Sequence, residues 1–287
     1  MELRAEGLEP AFHEGAGMLA PGAALPTMQT PLVEYLPVRS PLDCGSFERA
    51  LETVAALLDA SPAELRSTLA AYDSEAPDTN GELMPLGERI LVRCVGLSQP
   101  PTPGTIHWFH ATRTWPAGAF ENGILSRRKV EPELWERLGK LVETWSTREE
   151  WEAFRRDMGR NPWADQYRRR RRFQVDDGPY AYLVRDMIFR MEDEPAHFLE
   201  APETISDICL AYQTETGHPL LEKFKEATRP CVVRFRSDRA NGSELRAALS
   251  YLYCEIRQIG HSHYSNTCFA GMGVPVPAAD ILDVEWL

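Results

Sequence analysis

Two side chains near the middle of the chain have the types and the spacing that a ligand-binding site needs. His110 and Thr112 stand two residues apart at the end of an apolar segment, residues 106–111, that is predicted to form a strand. Because side chains alternate along a strand, both lie on one face of the sheet. His107 is predicted to point to the opposite face, as a surface or packing residue. The alternative for His110 is a histidine at the core edge whose ring is satisfied by a backbone carbonyl.

The residues after this strand extend the motif. The sequence Phe120-Glu-Asn-Gly123-Ile-Leu125 predicts a short helix that ends at Gly123, because glycine readily supplies a left-handed C-cap. The His-x-Thr strand with this ending resembles the first strand of ADP-ribosyltransferase-like proteins. The resemblance covers the motif directly and, beyond it, only a loose order of elements.

The resemblance implies a set of NAD-binding residues. In the histidine-containing branch of the family, the histidine hydrogen-bonds the nicotinamide ribose, and the threonine or its neighbours contact the same half of NAD. The matching residues here are His110, Thr112 and the neighbouring Arg113. An aromatic residue of the family stacks on nicotinamide, and Tyr180 and Tyr182 are the candidates, on one face of a predicted strand.

The family also uses a glutamate near the start of a late strand, which stabilises the positive charge that develops on the ribose as nicotinamide leaves. Glu255 lies in the matching region of the chain and is the candidate catalytic residue, although its segment is predicted to be helical. The late strand itself begins Thr267-Cys-Phe269, without an acid, and Glu285 comes too late in the chain. This departure leaves catalysis less well supported than the fold.

The resemblance therefore implies an NAD-dependent ADP-ribosyltransferase that takes NAD as substrate and modifies a macromolecule, as a toxin or defence factor. One alternative is a non-catalytic module on the same fold that binds a nucleotide or RNA. A second is a regulator that binds DNA through a helix-turn-helix-like hairpin at residues 54–69, whose second helix carries the single cation Arg66.

Two other clusters could bind ligands. A run of five consecutive arginines could attract phosphate or nucleic acid, or could be a solvated face neutralised by nearby aspartates: Arg168, Arg169, Arg170, Arg171 and Arg172. His261 and His263 could supply two metal ligands, but with Cys254 and Cys268 they lack a convincing fourth group, so no metal site is predicted. The chain has no P-loop, Rossmann or hydrolase-elbow motif.

Composition points to a globular protein. The 287 residues are 43% hydrophobic and 26% charged, with a formal charge of −12 that disfavours non-specific binding to nucleic acid or anionic membranes. No apolar run approaches the roughly 18 residues of a membrane span, and the acidic N-terminus does not resemble a signal peptide. Six scattered cysteines without a C-x-x-C pair predict buried thiols in a reducing cytoplasm.

The order of elements predicts an α+β protein with split mixed or antiparallel sheets and flanking helices, as in the ADP-ribosyltransferase-like fold. Residues 1–45 are expected to be a loosely ordered arm with a possible strand at 32–38. Residues 46–99 are expected to form an accessory region with a helical hairpin and a strand at 89–95. Residues 100–287 would form the core domain, in which 180–189, 231–235, 267–270 and 281–286 are predicted strands.

Overall fold

A computed structural model describes residues 41–73, 85–93, 95–97, 101–172, 177–190 and 198–287. Most of the predicted N-terminal arm, including the possible strand at 32–38, lies outside the described residues. The chain from Val38 to Leu287 forms one compact unit.

A single five-stranded antiparallel sheet forms the centre of the described chain. Its strands are β1 (Ile106–Thr114), β2 (Tyr180–Tyr182), β3 (Arg229–Ser237), β4 (Cys268–Ala270) and β5 (Ile281–Trp286). They lie in the order β4-β2-β1-β3-β5, so β1 is the middle strand. The predicted α+β class is confirmed, whereas the described strands form one sheet instead of the expected split sheets.

The described residues also form ten α-helices. They are α1 (Phe47–Leu57), α2 (Pro62–Ala71), α3 (Leu86–Arg93), α4 (Arg127–Val142), α5 (Arg148–Arg156), α6 (Pro162–Arg172), α7 (Met187–Arg190), α8 (Glu203–Thr216), α9 (Leu220–Ala227) and α10 (Glu244–Arg257). The predicted helical hairpin is confirmed as α1 and α2, and so are the strands predicted around 231–235, 267–270 and 281–286.

The first two helices begin where their sequence signals indicate. The Ser46 hydroxyl accepts a hydrogen bond from the Arg49 backbone N–H and caps α1. Ser61 and Glu64 form a reciprocal capping box at the start of α2, with Pro62 at the first helical position. Side-chain oxygens thus satisfy backbone donors that have no partner within the helix.

The strand predicted at 89–95 is wrong, because residues 89–93 belong to α3. Ile90 and Leu91 are both buried while Val92 is 40% exposed. A strand would have placed Ile90 and Val92 on the same face. A short apolar run without clear periodicity does not distinguish a buried strand from a buried helix, and here packing against α10 selects the helix.

The strand predicted at 180–189 is also too long. β2 ends at Tyr182, and Met187–Arg190 is the short helix α7. Beyond β2, the Val184 backbone N–H donates to the Asn266 side chain, and the Arg185 backbone N–H donates to the carbonyl of Cys44. These partners replace a regular strand ladder, so the chain turns at the charged pair Arg185 and Asp186.

The two faces of the sheet have different environments. We call the face that carries Ile106, Trp108, His110 and Thr112 the core face, because its apolar residues pack in one cluster with α1, α2, α3 and α10. The opposite face carries His107, Phe109, Ala111 and Arg113, and we call it the cleft face. The predicted accessory helices therefore share one hydrophobic cluster with the sheet.

A second cluster lies among the helices. It is built from aromatic and aliphatic residues of α4, α5, α6, α8 and α9. Trp135 is at its centre, with ring centroids 5.3 Å from Trp151 and 6.1 Å from Phe154. The Trp135 indole N–H donates to the hydroxyl of the buried Tyr167, so the polar atom of this indole is satisfied inside the cluster.

The short helix predicted to end at Gly123 is wrong, because residues 117–122 form successive turns. Gly123 nevertheless has a positive φ of 82°. Its backbone lies against the segment at Val276, which pairs with Ile124 in an isolated antiparallel bridge. A Cβ atom at Gly123 would overlap the Val276 carbonyl oxygen. Both the conformation and this close approach require glycine.

We predict that Gly123→Ala lowers the free energy of unfolding by about 3 kcal/mol, the sum of left-handed strain and a backbone overlap. Gly217→Ala is the matched control, because Gly217 has a φ of 78° and open space around its Cα. The control should lose only about 1 kcal/mol. Urea unfolding measures the free energy of unfolding of both variants. Equal losses would contradict the close approach of Gly123 to the Val276 carbonyl.

Candidate functional site

His110 lies on the middle strand, opposite Val233 of β3, with its side chain on the core face. Its Nδ1 atom is 2.6 Å from the Tyr180 carbonyl oxygen. A carbonyl only accepts, so Nδ1 carries the proton and Nε2 is left as an acceptor. Burial lowers the pKa of His110 and outweighs the opposing effect of the carbonyl. The ring is therefore a neutral imidazole near neutral pH.

The contact with Tyr180 is the backbone interaction expected of a core-edge histidine. It uses only one ring nitrogen, and no described residue hydrogen-bonds Nε2. Thr112 lies on the same face, opposite Cys231, and is buried. The predicted placement of these two side chains on one face is thus confirmed, and together they present an imidazole acceptor and a hydroxyl.

Arg113 lies on the other face and is used in packing. Its Nε donates to the Leu199 carbonyl at 3.0 Å, and its Nη1 donates to the carbonyls of Lys225 and Thr228, both at 2.9 Å. These three bonds join the end of β1 to the segment before α8 and to the end of α9. The predicted NAD contact of Arg113 would have to compete with them.

The two tyrosines are also separated from His110 by the sheet. Tyr182 pairs directly with Phe109, so its side chain lies on the cleft face. Tyr180 is two residues earlier on the same strand and projects to that face as well. The Tyr180 atom that contacts the His110 ring is its backbone carbonyl oxygen. The structure does not bring the tyrosine rings and the His110 ring to one face.

Glu255 lies on α10, as its periodicity predicts, within a network of polar residues. Its carboxylate accepts from His261 Nε2 at 2.6 Å and contacts the Arg190 guanidinium. Burial alone would raise the pKa of Glu255, but its bonds to Arg190 and His261 lower the pKa overall. The His261 ring stacks on Tyr251 with centroids 5.5 Å apart. Glu255 is therefore an ionised carboxylate with two partners.

The arginine run at the end of α6 is largely paired with acids. Arg168 contacts Asp165 at 2.9 Å, and Arg171 contacts Glu131 at 3.2 Å. Arg170 contacts the buried Asp207 at 3.0 Å. These pairs favour the interpretation of a neutralised face. They do not support the nucleic-acid contact that the run could make, which stays a prediction.

A cleft of about 240 Å³ opens on the cleft face. Its walls come from the segment at residues 43–49, from Arg185 and from strands β1, β3 and β5. The lining residues are Asp43, Gly45, Ser46, Arg49, Phe109, Arg185, Val232, Arg234, Asp283 and Glu285. Sequence analysis missed this site because Asp43 was assigned to a loose arm. The alternation of Arg234 and Arg236 along β3 was the available signal for a polar face.

Asp43 connects the cleft to the middle strand. It is 4% exposed and accepts from Arg234 Nη2 at 2.7 Å, with His107 Nδ1 at 3.3 Å. Burial alone would raise the pKa of Asp43. Three interactions outweigh this effect of burial and lower the pKa of Asp43 below its ordinary value. They are the hydrogen bond with His107, the charge of Arg234 and the hydrogen bond from the Gly45 N–H. His107 is thus part of an ion cluster.

Comparison with protein-family models, with curated proteins and with solved structures gave no match to this chain. Within the described residues, no three His, Cys, Asp or Glu side chains are grouped to hold a metal ion. The helices of that part of the chain are each too short or too polar to cross a membrane. Four cysteine thiols are buried, as predicted: Cys44, Cys209, Cys231 and Cys254. The prediction is wrong for Cys268, which is exposed, and Cys94 lies outside the described residues.

We predict that Asp43→Asn lowers the free energy of unfolding by about 2 kcal/mol at neutral pH, because it removes a charge-assisted bond to Arg234. The folded pKa of Asp43 is depressed, so its stabilisation is present above the unfolded pKa of about 3.9 and is lost as the pH falls through the folded value. The difference from wild type should therefore shrink in acid.

Urea unfolding across this pH range measures the effect of Asp43→Asn. Asp283→Asn is the control, because Asp283 has a 53% exposed side chain and approaches Arg234 only to 3.6 Å. If the free energy of unfolding that Asp43→Asn loses does not change with pH, this result would contradict the ion pair between Asp43 and Arg234.

Proposed function

We propose that the protein binds NAD or a related nucleotide in the manner of ADP-ribosyltransferase-like proteins, with His110 as acceptor for a ribose hydroxyl. The observation that carries this proposal is the orientation of the His110 ring. The Tyr180 carbonyl holds Nδ1, which leaves Nε2 as a lone-pair acceptor beside Thr112 on the core face.

A neutral imidazole suits this role. A ribose hydroxyl donates to Nε2, and an uncharged ring does not repel the positive charge of the nicotinamide ring. The His-x-Thr motif lies on the middle strand of an antiparallel sheet, which agrees with the α+β class of the ADP-ribosyltransferase-like fold, although the described strands form one sheet and not split sheets. The macromolecular acceptor and a toxin or defence role follow from the resemblance alone.

Binding without transfer is the second candidate function, and the surroundings of Glu255 favour it. A transferase needs an anion whose charge acts on the developing oxocarbenium ion. Arg190 already compensates the negative charge of Glu255, and His261 donates a hydrogen bond to its carboxylate. The tyrosines that would stack on nicotinamide lie on the cleft face, away from His110. These features support a nucleotide-binding role more than they support the reaction.

We predict that His110→Asn weakens NAD binding about tenfold, the loss of one hydrogen bond. Asparagine can still donate to the Tyr180 carbonyl but lacks an acceptor at the Nε2 position, so the variant isolates that atom. His110→Gln, which places an acceptor farther out, should recover part of the affinity. Calorimetric titration with NAD and with ADP-ribose measures the dissociation constants.

His107→Asn is the matched control for these titrations, because His107 lies three residues away on the opposite face. It should leave the affinity for NAD unchanged. The proposal is wrong if the wild type binds neither NAD nor ADP-ribose at about millimolar concentration. Equal losses of NAD affinity in His107→Asn and His110→Asn would also contradict the proposal.

For the reaction, we predict that the wild-type protein releases nicotinamide from NAD no faster than Glu255→Gln does, because the carboxylate is held in its ion pairs. Chromatographic assay of free nicotinamide over hours gives the two rates. A wild-type rate that Glu255→Gln lowers about a hundredfold or more would instead identify Glu255 as the catalytic acid.

A further inference from the structure

Two acidic side chains on successive turns of α8 share one guanidinium group of α6. Arg170 donates through Nε to Asp207 at 3.0 Å and through Nη1 to Glu203 at 2.5 Å. Glu203 and Asp207 are four residues apart, so they project from the same face of their helix. One positive charge therefore faces two negative charges where α6 packs on α8.

The two acids differ in their access to solvent. The side chain of Asp207 is 4% exposed, whereas that of Glu203 is 38% exposed. Water can thus solvate the charge of Glu203 but not the charge of Asp207. A buried carboxylate has lost its hydration, and it is stable as an anion only when its partners replace that hydration. The guanidinium that would do so for Asp207 is divided between two acids.

Little other positive charge is available to Asp207 in the described part of the chain. Arg169 of α6 adds an attraction that is weaker than that of Arg170. Other cations of α4, α6 and α9 are paired with different acids: Arg127 with Asp177, Arg171 with Glu131, Lys223 with Glu226, and Lys225 with Glu200 and Glu222. The charged groups that act on Asp207 are thus Arg170, Arg169 and Glu203.

Burial is the largest influence on the acidity of Asp207. It raises the pKa of this carboxyl group to about 6, although the charge and hydrogen bond of Arg170 oppose the rise. The negative charge of Glu203 adds to the rise, and Arg169 opposes it. An aspartate in an unfolded chain has a pKa of about 3.9. The folded protein therefore binds a proton in a pH range in which the unfolded chain does not.

We propose that Asp207 takes up one proton on mild acidification, and that this uptake stabilises the folded state at the contact between α6 and α8. The proton removes a charge that Arg170 compensates only in part, and it leaves the guanidinium to Glu203 alone. The stabilisation grows as the pH falls through the folded pKa of about 6 and is complete below the unfolded value of about 3.9. None of these residues belongs to the proposed nucleotide site, so the inference is independent of NAD binding.

Asp207→Asn tests the proposal, because asparagine keeps the shape of the side chain and cannot take up the proton. Urea unfolding gives the unfolding equilibrium constants of wild type and variant at pH 7 and at pH 5. The wild-type constant divided by the variant constant should fall about tenfold between these two pH values. Groups that titrate in both proteins cancel from this ratio. The proposal is overturned if the ratio is the same at both pH values.

Asp165→Asn is the matched control, because Asp165 is an exposed acid that pairs with Arg168 of α6 at 2.9 Å. Solvent screens this pair, so the corresponding ratio should not change between pH 7 and pH 5. A change equal to that of Asp207→Asn would also overturn the proposal, since the effect would then not depend on burial.

Glu203→Gln tests whether the shared guanidinium contributes. In this background Arg170 is left to Asp207, so the carboxylate keeps its charge to lower pH. The ratio between Glu203→Gln and the double variant with Asp207→Asn should then fall less than tenfold from pH 7 to pH 5. An undiminished change would contradict the sharing of Arg170 between the two acids.

Carbon-13 NMR of the aspartate carboxyl groups gives a second measurement, on the protein without any substitution. One aspartate signal of the wild type should titrate near pH 6, and Asp207→Asn should lack that signal. A wild-type spectrum in which no aspartate titrates near pH 6 would overturn the proposal even if Asp207→Asn failed to fold.

Discussion

The pairing of β1 with β3 is the constraint on which both candidate sites depend. Nine consecutive residues pair without a shift, from Ile106 opposite Ser237 to Thr114 opposite Arg229. Side chains alternate along such a ladder, and a slip of one residue would exchange the two faces. The apolar residues of the core face make that slip costly. This pairing therefore determines that His110 and His107 serve different environments, although they are three residues apart.

The two environments impose different chemistry on the same residue type. On the core face, burial keeps the His110 imidazole neutral, and a backbone carbonyl fixes its tautomer. On the cleft face, His107 sits between a carboxylate and a guanidinium, with its Nδ1 3.3 Å from Asp43 Oδ2 and 2.9 Å from Arg234 Nη2. A neutral ring suits the recognition of a hydroxyl, and a charged cluster suits the recognition of an ion.

Local signals in the sequence were sufficient for most elements but not for the site. The capping box at Ser61 and the alternation around β3 follow from neighbouring residues, so both could be predicted. The face occupied by Tyr182 depends on its pairing with Phe109, and the partner of Glu255 is Arg190, 65 residues away along the chain. Neither relation has a local signature. The helix at 86–93 was missed because a short apolar run does not specify its period.

Ion pairing decides which polar groups remain available to a ligand. Glu255 and Arg113 matched a family pattern by position, yet the fold uses their hydrogen-bonding capacity within the protein. In the described part of the chain, the Nε2 atom of His110 retains unused capacity. The residues that matched the family pattern are thus divided between the two faces of the sheet, with His110 and Thr112 on one face and Tyr182 on the other.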